Sequence, residues 1–122
     1  MVNKVLATLA YEAGFLVGDT STSFLARIKD YLNDRNDDAI FRSGATIWSI
    51  ATTPRLGDSD IPTLGLGEVI KDGAIADAYD AKRQPQKAAK YEQKYEYKLG
   101  SFIINQPWTL ICASVGRYEF YD

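Results

Sequence analysis

Residues 66–104, LGEVIKDGAIADAYDAKRQPQKAAKYEQKYEYKLGSFII, read as two helices that meet at Pro85. In the second half, Ala88, Tyr91, Tyr95, Leu99 and Phe102 recur at steps of three, four, four and three, which places them in one stripe of a 3.6-residue helix. Such a stripe has to be covered, because each large member contributes roughly 1.5–3 kcal/mol when it leaves water. The first half carries Gly73, Ala74, Ala76, Ala78 and Ala81, small residues that let another backbone come close. The spacing therefore predicts a helix starting between Leu64 and Gly67 and running to about Arg83. A second helix follows, with Gln84 as its cap and Pro85 in its first turn, reaching about Ile104 over roughly 28 Å. This hairpin is the element on which the others are expected to pack.

Working outward, Val5, Leu6, Leu9, Ala10, Ala13 and Leu16 or Val17 recur at helical spacing between Asn3 and Leu16, and Gly18 with Asp19 forms the expected stop. Thr20, Ser21, Thr22 and Ser23 offer N-cap oxygens to a longer helix. Its apolar stripe is Phe24, Leu25, Ile28, Tyr31, Leu32, Arg35, Ala39 and Ile40, and it is expected to end near Gly44. The other face of that helix holds Arg27, Asp30, Asp34, Asp37, Asp38 and Arg42. The run ATIWSIAT at 45–52 is β-branched, aromatic and short, so it reads as a strand or extended segment. A loop punctuated by Pro54, Gly57, Asp58, Ser59, Asp60 and Pro62 comes next. After Pro107 the composition turns β-rich again. The expectation is a mainly α, four-helix bundle-like domain with a small β element and an extended C-terminal tail. Residues 1–122 form a single domain, in which a helical core of 1–107 carries an inserted strand and loop at 45–63 and is followed by a tail or strand at 108–122.

Composition narrows the chemistry. A chain of 122 residues, 46% hydrophobic and 25% charged, can bury a core without metal or disulfide support. No apolar run approaches the roughly 18 residues of a membrane span. The amphipathic start with Glu12 in its middle argues against a signal peptide. There is no histidine, and the single Cys112 lies in the apolar run TLICASV, where a space-filling thiol is expected. The common zinc sites and histidine-based triads are thereby excluded, leaving only carboxylate or lysine chemistry that no motif localises. No cofactor is expected and the reading is non-enzymatic. The net charge of −2 conceals an asymmetry. Residues 1–81 carry 7 basic and 12 acidic groups, whereas residues 82–98 carry 6 and 2.

Several clusters have both a functional and an ordinary reading. Asp34 and Asp38, one turn apart with Asp37 beside them, could hold a cation, but Arg35 and Arg42 interleave and no calcium-loop glycine is present, so a solvated helix face is preferred. GDSDIP lacks the glycine and glutamate of a calcium loop and reads as a turn closed on its own backbone. Gly65, Gly67 and Gly73 follow no apolar strand and precede no GKS or GKT, so they suit the start of a helix and one close helix contact rather than a phosphate. Lys90, Lys94 and Lys98 stand four apart with Lys87 at the same edge, and like charges at that spacing repel by a few tenths of a kcal/mol per pair. Either Glu92 and Glu96 relieve them on a solvated face, or a partner neutralises them. Finally, Trp108, Ile111, Tyr118, Phe120 and Tyr121 make the tail aromatic, a composition suited to an interface anchor or to a terminus folded onto the core.

The order of features resembles that of the head-to-tail connector, or adaptor, proteins of tailed bacteriophages. The resemblance rests on a short helix ending in glycine (KVLATLAYEAGFLVG), a longer helix with Asn-Asp pairs (SFLARIKDYLNDRNDDAIFR), an extended insert, the hairpin ADAYDAKRQPQKAAKYEQKYEYKLG and an extended tail. It covers nearly the whole chain. What it implies is a structural protein of the virion neck, made in the host cytoplasm. Its copies would form a ring, commonly of twelve, beneath the portal protein, continue the channel through which double-stranded DNA passes, and meet further neck or tail proteins. The family offers no catalytic motif to transfer. The tail from Trp108 to Asp122 corresponds to a portal or neighbour contact, but here it is short and aromatic, which leaves open docking on the portal, on the next copy or on its own core. A ring would also use the charge asymmetry, with the face of Lys87, Lys90, Lys94 and Lys98 meeting Asp30, Asp34, Asp37 and Asp38 of the next copy. The alternative is a small helical adaptor or regulatory domain that binds one protein partner and has no enzymatic activity.

Overall fold

The computed structural model describes residues 4–42, 55–62 and 66–104, and within them the chain is a bundle of four helices: α1 (Leu6–Val17), α2 (Thr22–Arg42), α3 (Gly67–Ala81) and α4 (Pro85–Ile104). The four helices lie where the apolar periodicity predicts them. The strand expected at 45–52 and the tail at 108–122, with Trp108, Ile111, Tyr118, Phe120 and Tyr121, lie outside the described residues.

Each helix end has a local cause. Gly18 adopts φ +94°, the left-handed conformation that a Cβ disfavours, and its N–H donates to the Gly14 carbonyl to close α1. Ser21 Oγ accepts the Phe24 N–H at the start of α2, and Asp19 accepts from the Ser21 N–H. The α3–α4 turn is tight: the N–H of Lys82, Arg83 and Gln84 all return to carbonyls at the end of α3. Pro85, which has no N–H to lose, then begins α4.

Successive helices run antiparallel, and α3 is the hub, packing on α1, α2 and α4. Nine of its fifteen residues are buried, which is why its sequence is so rich in alanine and glycine. A Cβ added at Gly73 would stand 2.7 Å from Arg35 Cδ and 2.9 Å from Tyr95 Cδ1, so this glycine lets α2 and α4 converge on α3. The predicted α4 stripe is the inward one: Ala88, Tyr95 and Leu99 are buried, and Tyr91 and Phe102 are half-buried against the same core. On α2, Phe24, Ile28, Leu32, Ala39 and Ile40 join them. Leu6, Leu9, Ala10 and Ala13 of α1 complete the cluster.

The segment 55–62 does structural work beyond the turn expected of it. Asp60 closes the turn through Gly57 N–H, as its composition suggests. In addition, the carbonyls of Asp60 and Asp58 accept the N–H groups of Leu6 and Ala7, capping the otherwise unpaired start of α1. Asn33 of α2 holds the same segment. Its Oδ1 accepts from Leu56 N–H at 2.6 Å and its Nδ2 donates to the Leu56 carbonyl at 3.2 Å, an amide pairing of the kind one strand makes with another.

Candidate functional site

With no histidine and one cysteine, the chemistry available to this chain is that of charged and aromatic surfaces, so the question is where each charge finds its partner. Along α4 the carboxylates and the ammoniums fall in separate rows: Glu92 and Glu96 are one turn apart, as are Lys90, Lys94 and Lys98. Helical geometry puts the two rows on opposite flanks, about half a turn from each other. Neither row can pair with the other along the helix.

The carboxylate flank turns to α2. Arg35 makes a double fork: Nε and Nη2 donate to Asp77 of α3 at 3.0 and 2.7 Å, and Nη1 and Nη2 donate to Glu92 of α4 at 2.9 and 2.7 Å. Its guanidinium also sits 4.7 Å from the centre of the Tyr95 ring. Burial opposes the Arg35 charge, but the two carboxylates outweigh it and hold the group more firmly protonated than a free arginine. One turn further on, Arg42 donates to Glu96, Nη1 to Oε2 at 2.8 Å, and reaches Asp38 at 3.4 Å. The bond to Arg42 keeps the Glu96 carboxyl below its usual range. Between these two arginines, Tyr95 O–H donates to Asp38 Oδ2 at 2.7 Å, and burial together with that carboxylate pushes the phenol's pKa up. Arg35, Asp77, Glu92, Tyr95, Asp38, Arg42 and Glu96 thus form one polar seam that ties three helices together.

The lysine flank divides. Lys98 leaves the proposed row: its Nζ lies 2.6 Å from Oδ2 of the buried Asp72 on α3, and the ammonium is what compensates that carboxylate. Lys87 and Lys94 lie over tyrosine rings, at 5.6 Å from Tyr79 and 4.6 Å from Tyr91. Lys87, Lys90 and Lys94 are exposed, and among the described residues none has a carboxylate partner. Glu92 and Glu96, on the opposite flank and bound to Arg35 and Arg42, give them no relief.

The acidic face divides as well. Asp38 points along α2 toward α4, as just described, and belongs to the seam. Asp30, Asp34 and Asp37 point outward, away from the core. Asp30 and Asp34 share the exposed Arg55 at 3.1 and 3.8 Å, contacts with side chains more than half in water that contribute little. Asp37 has no ion-pair partner among the described residues.

A second network joins α1 to α3. Glu12 accepts from Lys4 and Lys71, Lys71 also reaches Glu68, and Lys4 closes the ring on Glu68 at 3.4 Å. At the other end of α1, Lys82 donates to Asp19 at 2.6 Å and stands over the Phe24 ring, which holds the Asp19 carboxyl down at about 2. Sequence reading placed neither network, since both join residues about 60 positions apart or a loop to a helix end.

Among the described residues, Tyr97, Gly100 and Ile104 line one shallow concavity of about 330 Å³, and Gln84, Pro85 and Lys87 line another of the same size. Neither brings an acid and a base together. Among the described residues no group of three acidic side chains is placed to hold a metal ion, and no helix is long and apolar enough to cross a membrane. Large apolar side chains do stand in water, Tyr11 and Phe15 one turn apart on α1, and Phe41, Tyr97 and Ile104 toward the far end of α2 and α4. No family model matches this chain, and no curated protein or solved structure shows significant similarity to it.

Proposed function

We propose that the chain is a structural head-to-tail connector subunit of a tailed phage, a non-enzymatic part that forms a ring under the portal protein and continues the DNA channel. The observation that supports this reading most is directional. Because α2 and α4 run parallel, the chain leaves Arg42 and Ile104 at the same end of the bundle, where Phe41, Tyr97 and Ile104 are exposed. That end therefore carries exposed apolar side chains, as α1 does with Tyr11 and Phe15. That arrangement suits a subunit gripping a larger ring with one end and its own copies with its flanks. The Arg35 seam and the α3 hub tie the helices to one another, and DNA passage requires no chemistry of the side chains.

The test is localisation in particles. In virions assembled with a tagged copy, electron microscopy should place the label at the junction of head and tail, in a ring coaxial with the portal. Label spread over the capsid, or particles assembled without it, overturns the reading. The alternative, a small adaptor for one protein partner, draws on the exposed Tyr11 and Phe15 pair of α1, which is the spacing of a helix-face anchor. It calls for a complex of fixed small mass and no ring.

A further inference from the structure

From the sorting of charges on α2 and α4, we infer that Lys87, Lys90 and Lys94 of one copy pair with Asp30, Asp34 and Asp37 of the next, the two stripes lying at similar heights along the bundle axis. The inference rests on the ring reading and goes further, assigning which residues meet and removing Asp38 and Lys98 from the contact.

Three observations carry it. First, the stripes are little used by the fold: Glu92, Glu96 and Asp38 are held in the Arg35 and Arg42 seam, and Lys98 is held by Asp72. What remains is three exposed ammoniums without a carboxylate among the described residues, and on α2 an unpaired Asp37 beside Asp30 and Asp34, which share only the exposed Arg55. Second, the stripes cannot meet within one copy. The lysines lie on the flank of α4 opposite to the one facing α2, and at 100° per residue the aspartates point about 165° from the core stripe of α2 and about 100° from its α4-facing side. A contact between such faces is heterologous, relating neighbours by a rotation.

The third observation is the register. The contacts between these parallel helices have separations of 54 to 60 residues: Arg42 meets Glu96 at 54, Arg35 meets Glu92 and Asp38 meets Tyr95 at 57, and the Arg35 carbonyl accepts from Tyr95 at 60. The middle of that range sets Lys87 near the height of Asp30 and Lys94 near that of Asp37, to within about one helical turn. Lys90 falls near Asn33 and Asp34. A rotation about an axis parallel to the helices leaves height unchanged, so each ammonium arrives within about one helical turn of a carboxylate, a gap that a lysine side chain spans. Arg55, loosely shared by Asp30 and Asp34 at the exposed rim, is then displaced or joins the contact.

A nucleic acid is the competing occupant of the lysine stripe. The charge of the remainder of the chain disfavours it, since residues 1–81 carry five more acidic than basic groups and would repel a phosphate backbone. A second copy supplies the opposite charge instead.

The experiment is sedimentation of the full chain at millimolar concentration and low salt, with circular dichroism to confirm folding of each variant. The parent chain should self-associate, less so as salt rises. K87E/K90E/K94E should lower the association constant at least about tenfold, and D30K/D34K/D37K should do the same. The decisive construction is the swap: all six reversals in one chain should restore association, and an equimolar mixture of the two triple variants should form pairs of unlike chains that neither forms alone. Association of the parent untouched by either triple reversal overturns this pairing while leaving the ring to be judged on particles. A parent that stays monomeric throughout overturns the contact itself, as does one that binds a DNA duplex through these lysines without self-association. A ring seen in virions whose K87E/K90E/K94E subunits still assemble overturns the inference but not the proposed function.

Discussion

Replacing Arg35 by Met should destabilise the bundle by about 3 kcal/mol, and the figure can be built from the contacts. The methionine retains the aliphatic stem that lies against Gly73 and the Tyr95 ring, so packing changes little. What disappears is the guanidinium. Asp77, with its side chain 28% exposed, loses a two-pronged charged bond and stays partly desolvated, worth about 1.5–2 kcal/mol. Glu92 is 42% exposed and recovers most of its hydration, so its loss is held to about 0.5 kcal/mol. The guanidinium over the Tyr95 ring contributes about 0.5–1 kcal/mol. With an m-value of about 1.5 kcal/mol/M, the urea midpoint should fall by about 2 M. R35K should lie close to R35M, because an ammonium cannot make two forks at once. The triple variant R35M/D77A/E92A should be more stable than R35M alone, since it removes the stranded carboxylates. A midpoint for R35M within about 0.5 M of the parent would refute the reasoning, and R35K matching the parent would show that a point charge suffices.

Gly73→Ala should cost about 1–3 kcal/mol in denaturant unfolding despite the better helix propensity of alanine, because its Cβ meets Arg35 and Tyr95 at 2.7–2.9 Å. Gly100→Ala, with nothing within 4 Å of its Cβ, should instead stabilise by about 0.5–1 kcal/mol in the same assay. Thermal unfolding against pH should show stability lost as the solution is acidified through about pH 4.5 toward 2. Glu12, Asp19, Glu68 and Glu96 are held below their ordinary values by Lys4, Lys82, Lys71 and Arg42 respectively, so the folded state releases protons that the unfolded chain retains until the pH falls through the folded values. Stability should also decline above about pH 10, where the unfolded chain ionises its tyrosines while burial and Asp38 keep Tyr95 protonated; Tyr95→Phe should flatten that alkaline limb. Asn33→Ala should speed proteolytic cleavage in 55–62, since both backbone groups of Leu56 lose their partner.

The four helices were legible because apolar periodicity, Gly18, Pro85 and the small residues of α3 all agree. Gly73 could be read as a close-contact glycine from its place in an alanine-rich helix, although which side chains approach it could not. The polar seam was not legible. Arg35 falls within the apolar stripe of α2 but also among Asp34, Asp37 and Asp38, which reads as a solvated face, and nothing local identifies Asp77 and Glu92, which lie 42 and 57 positions away. The α2 carboxylates look alike in sequence, and only the placement of α4 separates the inward Asp38 from the outward Asp30, Asp34 and Asp37. The capping of α1 by the Asp58 and Asp60 carbonyls carries no side-chain signal at all.

The charge rows of α4 carry one more consequence. On a solvated helix, acidic and basic residues commonly alternate at i and i+4, so that each pair is satisfied where it stands. Here Glu92 precedes Glu96, and Lys90 precedes Lys94 and Lys98, so like charge repeats at that spacing on both flanks. Each row is therefore unfavourable in isolation and needs partners from another element. The bundle supplies them for the glutamates, through Arg35 and Arg42, and for Lys98, through Asp72. Lys87, Lys90 and Lys94 are left with tyrosine faces alone, which favour a cation but do not neutralise it. The same logic that accounts for the interior thus points outward, and the pairing proposed with Asp30, Asp34 and Asp37 of another copy would supply what the single chain lacks.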